Sequence, residues 1–141
     1  MSFKTLITKK VEFSASHRYW NPDWDDEKNK EIFGKNTSPL GHGHNFHLEV
    51  TVEGEIDGHT GMVINLFDLK DILNDVLENY DHKYLNEDLE VFKKIIPTPE
   101  NIAKQLWDDI ETELKKRKTD CTLYKVRLYE TPDLYVDYWK S

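Results

Sequence analysis

The 141 residues include a single cysteine, Cys121, so an internal disulfide and a cysteine-based metal cluster are both excluded. Glycine and proline are sparse, at 6 and 5 residues, which argues against a fibrous repeat or a low-complexity chain. Basic residues are outnumbered, 19 Lys and Arg against 27 Asp and Glu, for a formal net charge of -8. A nucleic-acid backbone rewards a concentrated basic surface, so no nucleic-acid partner is expected. Local Lys and Arg side chains can still line a pocket for a small phosphorylated substrate. No apolar run approaches the roughly 20 residues that span a bilayer. The opening Met1-Ser2-Phe3-Lys4 lacks the apolar stretch of a secretory signal. A soluble, cytoplasmic protein without a membrane partner is therefore the expectation. What is present, 38% hydrophobic and 33% charged residues, suits one ordinary domain over 1–141.

Two segments alternate with the period of a strand. Residues 5 to 17 carry Thr5, Ile7, Val11, Phe13 and Ala15 on one parity, and residues 42 to 54 carry Phe46, Leu48, Val50 and Val52. His17, His42 and His44 fall on those apolar parities, unless a bulge near Lys9-Lys10 shifts the count. His47 falls on the other parity and is expected to face solvent or an interface. After the turn-rich stretch from Gly54 to Gly61, Leu66, Leu69, Leu73, Val76, Leu77 and Tyr80 recur at helical spacing. A second helix is predicted from Thr98-Pro99-Glu100, with Thr98 as cap and Pro99 in the first helical position. Its apolar stripe is Ile102, Leu106, Ile110 and Leu114, widened by Ala103 and Trp107. Strands are predicted from Thr122 to Glu130 and from Leu134 to Trp139, around a turn at Thr131-Pro132-Asp133. The order β-β-α-α-β-β predicts an α+β fold, a four-stranded antiparallel sheet with both helices on one face. The aromatic residues near the sheet ends, Tyr135, Tyr138 and Trp139, suggest surface covered by further copies of the chain, the alternative being that the seven Tyr and four Trp fill one large core.

The chemistry-bearing pattern is Gly41-His42-Gly43-His44-Asn45, taken with His17 in Phe13-Ser14-Ala15-Ser16-His17-Arg18. A His-x-His pair in a strand puts two imidazoles on one face, because the side-chain period is two. A third His from another strand completes a three-nitrogen pocket of the kind zinc occupies with one position open. Magnesium prefers oxygen ligands, and copper commonly recruits sulfur that this motif lacks. The plainer alternative is that these histidines fill strand ends and bond to backbone carbonyls. Asp81-His82 can pair a carboxylate with an imidazole suited to proton transfer at neutral pH, or can simply end a helix. Glu130 follows Tyr124, Val126 and Leu128 on an apolar parity, where a carboxylate needs a partner. It can hold the paired N–H groups of an amino-pyrimidine by two parallel bonds. Glu100 can do the same, or serve only as an acidic residue at a helix start.

In order and spacing these segments resemble the family of 6-pyruvoyl-tetrahydropterin synthase and the queuosine-pathway 6-carboxy-tetrahydropterin synthase. The likeness rests on Phe13 to Arg18, Gly41 to Phe46, Gly61-Met62-Val63, Leu69-Lys70, Asp81-His82-Lys83, Thr98-Pro99-Glu100-Asn101 and Tyr129-Glu130-Thr131. The resemblance implies the tunnelling fold (T-fold), assembled as a homohexamer, a dimer of trimers, with active sites between subunits. It implies Zn2+ on His17, His42 and His44, and a proton-transfer group that includes Asp81 and His82. It implies a pterin anchor at Glu130, with Thr98 and Glu100 helping to form that pocket. The implied substrate is 7,8-dihydroneopterin triphosphate, with Mg2+ also required by the pyruvoyl-forming members. The implied activity is a carbon-oxygen lyase reaction that eliminates triphosphate and gives 6-pyruvoyl-tetrahydropterin for tetrahydrobiopterin biosynthesis. The alternatives are 6-carboxy-tetrahydropterin synthesis, cleavage to 6-hydroxymethyl-dihydropterin, and a pterin-binding protein without catalysis.

One departure stands out. Animal-type members carry a cysteine at the position occupied here by Asn36, and the shorter bacterial members carry theirs at Ser38. Neither alignment restores a thiol. An amide has no accessible base form, and serine is a poor base. The role then falls to His82, or to an acidic residue of Asp23-Trp24-Asp25-Asp26-Glu27, as a glutamate serves in the protozoan side-chain-cleaving relatives. Cys121 is a weaker candidate and reads more simply as a small buried hydrophobe.

Overall fold

The structure, a computed structural model, describes residues 4–140. Strand β1 (Thr5–His17) leads to helix α1 (Asp26–Phe33) and a 3-10 turn over Gly34–Thr37, then to β2 (His42–Gly54). Helix α2 (Leu66–Leu77), the two-residue β3 (Lys83–Tyr84), the short α3 (Leu85–Asp88) and a 3-10 turn at Glu90–Lys93 follow. Helix α4 (Pro99–Lys116) and the hairpin of β4 (Thr122–Thr131) and β5 (Leu134–Tyr138) complete the chain.

The α+β class stands, but the four-stranded antiparallel sheet and the simple element order do not. The sheet has five strands in the order β3-β1-β2-β4-β5, and β3 runs parallel to β1 at Ala15 and Ser16, making the sheet mixed. Periodicity missed β3 because two residues carry no repeat. It missed α1 because that helix buries one polar residue, Asn29, and no apolar stripe. Its start is instead set by Asp25, whose carboxylate accepts from the Lys28 N–H at 2.8 Å. Asn29 then holds the preceding loop, accepting from the Asn21 N–H at 2.7 Å and donating to the Asn21 carbonyl at 2.9 Å.

No bulge interrupts β1: it pairs with β2 residue for residue, from Thr5 opposite Gly54 to His17 opposite His42. One bulge lies in β4, where Thr51 and Val52 of β2 face Lys125 and Leu123 and leave Tyr124 between them, and a second register shift falls at Glu130, between Tyr129 and Thr131 opposite β5. The extra Tyr124 reverses the parity ahead of Val126. Leu123 turns inward, and Tyr124, expected on the apolar side, is 45% exposed. Trp139 lies beyond the end of β5 and is exposed, whereas Tyr138 packs against the core through Trp107.

The core occupies the sheet face covered by α2 and α4. Phe13 and Phe46, opposite each other in the β1–β2 ladder, stack at 5.0 Å between centroids. Leu48, Val50, Val126 and Leu128 continue this floor. Above it lie Leu69, Ile72, Leu73 and Val76 of α2 and Ile102, Leu106, Trp107 and Ile110 of α4. Each large side chain so buried contributes about 1.5–3 kcal/mol relative to exposure. Helix α2 stops at Leu77, and Tyr80 enters the core from the turn beyond it, its hydroxyl donating to Asp109 at 2.5 Å. Among the described residues, no helix is long and apolar enough to cross a membrane.

Candidate functional site

The three imidazoles converge where β1 ends and β2 begins. In the antiparallel register His17 faces His42 directly, and His44 lies one inward position further along, opposite Ala15. Their ring centroids are 4.6, 5.0 and 5.3 Å apart, and one nitrogen from each lies within 4.8 Å of the others. Such a group can hold a metal ion. Two observations support the fit. The Nε2 atoms of His17 and His44 are buried and lack a hydrogen-bond partner among the described atoms, a costly state unless something binds them. The other nitrogen of His17, Nδ1, is 2.6 Å from the Pro97 carbonyl oxygen. A carbonyl only accepts, so Nδ1 carries the proton and Nε2 presents its lone pair to the pocket.

Local sequence explains this carbonyl. The Thr98 N–H donates to the Ile96 oxygen at 2.8 Å, forming a three-residue turn centred on Pro97, and Asn101 Nδ2 donates to the same oxygen at 2.9 Å. The Pro97 oxygen is left to receive His17. Thr98 caps α4 by accepting from the Asn101 N–H at 3.2 Å, and Pro99 takes the first turn, as expected. Gly41 permits the approach of β2. Its φ is +73°, and a Cβ there would come within 2.9 Å of the His17 carbonyl oxygen.

Burial favours neutral imidazoles. The fully buried His17 has its pKa lowered from 6.5 to about 4, chiefly by desolvation, with smaller effects from His42 and His44; the Pro97 carbonyl opposes the shift. His42 is also lowered by desolvation and by His44, against the raising effect of Glu130. Glu130, nearly buried, brings Oε1 to 3.6 Å from His44 Nε2 and Oε2 to 3.7 Å from His17 Nε2. With His17 uncharged at neutral pH, its contact with Glu130 is not an ion pair. It is a carboxylate standing beside a basin of nitrogen lone pairs.

A profile of the 6-pyruvoyl tetrahydropterin synthase family matches residues 6–141. The chain belongs to this family. It is 43% identical to the 6-pyruvoyl tetrahydrobiopterin synthase of Pongo abelii over 133 residues, 94% of this chain and 89% of that protein. The Drosophila melanogaster synthase is 42% identical over 134 residues, 94% of this chain and 78% of that one. The solved structure of the Caenorhabditis elegans 6-pyruvoyl tetrahydropterin synthase superposes with a TM-score of 0.91 at 36% identity, covering 98% of this chain and 96% of that one.

Other residues singled out from the sequence fall in several places. Glu100 is exposed in the first turn of α4, near enough to Tyr19 to raise the proton affinity of its phenol. Asn36 is half-buried in the 3-10 turn, and its carbonyl accepts from the Tyr19 N–H at 2.8 Å. Ser38 is exposed. Asp81 and His82 dock on the edge of β1. The Ser14 N–H donates to Asp81 Oδ1 at 2.9 Å, and the His82 N–H donates to the Ser14 carbonyl at 2.6 Å. Asp81 Oδ2 lies 3.6 Å from His82 Nε2. His82 has a φ of +60°, a strained value for a non-glycine residue, and its side chain is 83% exposed. It lines an open cleft with Ser14, Ser16, Gly43, Asn45 and also His44 of the imidazole group.

Cys121 is buried beside Gly54, at the end of the β2–β4 pair remote from His42, and its thiol pKa is raised by burial. It cannot serve the same chain's pocket. In the acidic segment Asp25 is used as the α1 cap. Two basic residues are engaged within the chain: Arg127 is held bidentately by Asp137 at 2.7 and 3.0 Å, and Arg18 donates to the Thr37 carbonyl while lying over Trp20. His47 is exposed and 3.4 Å from Glu12. Sequence reasoning missed Pro97, Tyr19 and Asn86. Asn86 clamps the backbone of Arg18, accepting from its N–H and donating to its carbonyl, both at 2.8 Å. The first contact uses a main-chain atom and leaves no side-chain signature; the others are polar residues outside any repeat.

Proposed function

We propose that this chain is a zinc-dependent pterin synthase that eliminates triphosphate from 7,8-dihydroneopterin triphosphate and forms 6-pyruvoyl-tetrahydropterin. The observation that carries the reading is the Glu130 carboxylate 3.6–3.7 Å from two orphaned imidazole nitrogens, which sets an acidic ring anchor beside a metal pocket. His17, His42 and His44 would hold the ion, and their all-nitrogen, sulfur-free character favours zinc. When bound, the ion supplies Lewis acidity toward the oxygens of the substrate side chain. Magnesium would accompany the triphosphate.

Glu130 accepts the amino and ring N–H groups of the pterin in two parallel bonds and fixes which carbon of the side chain faces the imidazoles. Thr98 and Glu100, at the start of α4 next to the Pro97 carbonyl that receives His17, would help to form the pterin pocket. Asn36 cannot take a proton, so abstraction falls to His82. Asp81, with one oxygen tied to the Ser14 N–H, turns its other oxygen to that imidazole, 3.6 Å from Nε2, and orients it. In a homohexamer with sites between subunits, as the family resemblance implies, the exposed His82 would meet the substrate held by a neighbouring copy.

Product analysis with 7,8-dihydroneopterin triphosphate, zinc and magnesium tests the proposal. The pyruvoyl product is expected, and His82→Ala should lower turnover by roughly 10²- to 10⁴-fold while pterin binding persists. A carboxy or hydroxymethyl product, or tight binding without turnover, overturns it.

A further inference from the structure

Tyr19 touches three parts of the site at once. Its ring meets His17 edge-on, with centroids 5.4 Å apart and planes at 80°, and lies 6.2 Å from the His42 ring. Its N–H donates to the Asn36 carbonyl at 2.8 Å, tying the exit of β1 to the turn that holds the family's cysteine position. Phe33 packs edge-on against the ring from α1, at 5.8 Å and 87°. So clamped, the phenol projects its hydroxyl toward Glu130, 3.5 Å from Oε2. A phenol is protonated at neutral pH and a carboxylate only accepts, so the hydroxyl faces Glu130 as a donor.

We infer that Tyr19 is a positioning residue that orients the Glu130 carboxylate for the pterin ring and holds it off the metal-binding imidazoles. The inference rests on Glu130 being the pterin anchor, as proposed above. Beside the phenol, His17 Nε2 and His44 Nε2 stand 3.7 and 3.6 Å from the Glu130 carboxylate, and an ion held there would draw the carboxylate toward itself. A carboxylate offers about four lone-pair positions, so one donor on Oε2 still leaves both oxygens able to accept from the ring. The 3.5 Å separation is long for an O–H···O bond, and contacts of this kind commonly tighten when substrate fills the site. Packing against His17 and Phe33 is a separate role, carried by the ring and not by the hydroxyl.

Tyr19→Phe keeps that packing and removes only the donor. Titration of the zinc-loaded full chain with neopterin should show binding weakened roughly 3- to 10-fold, and KM should rise by a similar factor with kcat within about twofold. The thermal midpoint should stay unchanged. Added to Glu130→Gln, the same change should cost nothing further, because its target carboxylate is gone. Neopterin binding equal to the parent's, an equal loss in the Glu130→Gln background, or a fall in kcat at unchanged KM would each overturn the role given to Tyr19 alone. Failure of the parent itself to bind neopterin would overturn the pterin reading and this assignment with it.

Discussion

Acidifying the metal-free protein should expose the energetic cost of His17. In the folded chain its pKa is lowered to about 4, whereas the unfolded chain titrates at the ordinary 6.5. A group depressed on folding contributes its stability above the unfolded value and loses it as pH falls toward the folded value, because the unfolded state takes up the proton first. The difference of about 2.5 units, at 1.36 kcal/mol per unit, corresponds to roughly 3 kcal/mol lost between pH 6.5 and 4. His42 is shifted the same way and steepens the same window. Denaturant unfolding of the zinc-free protein at fixed concentration, from pH 7.5 to 4, measures the slope. Carboxylates contribute as well, so the comparison is with His17→Leu, which keeps their titration and removes this one. The parent should lose about 3 kcal/mol more than the variant across the window. Zinc at a hundredfold excess over its dissociation constant should add about 2.7 kcal/mol at neutral pH, and that increment should vanish by pH 4 as protons displace the metal. Parallel pH profiles for the parent and His17→Leu would refute the reasoning.

Two further changes probe the frame and the anchor. Gly41→Ala places a methyl 2.9 Å from the His17 carbonyl oxygen on a residue with φ +73°; it should cost about 1–3 kcal/mol by denaturant unfolding and weaken zinc retention in chelator competition. Glu130→Gln should raise KM for the pterin substrate by roughly 10- to 100-fold, the worth of hydrogen bonds to a charged group, while zinc content stays stoichiometric.

The sequence made the imidazole cluster legible because a strand repeats every two residues, so parity alone put His17, His42 and His44 on the core side. The start of α4 was equally plain, since Thr98 and Pro99 each act through their own backbone neighbours. Glu130 was placed inward despite a miscount: the expected run from Tyr124 contains a bulge, and Glu130 itself falls at a second register shift, between Tyr129 and Thr131 opposite β5. Bulges add a residue without altering composition, which is why the hydrophobic pattern hid it. Helix α1 was invisible for a related reason, being organised around Asn29 and an Asp cap and lacking an apolar stripe. The pairing of Asp81 and His82 with Ser14 uses main-chain atoms that every residue owns.

The tight turn around Pro97 gives one short stretch two duties. Its carbonyl dictates which ring nitrogen of His17 stays bare, and the next residue opens the longest helix of the molecule. Rigidity thereby passes from an eighteen-residue rod to a single lone pair. Any fraying of that rod's first turn would be felt as a wobble in ion affinity, and a captured ion would in return brace the rod.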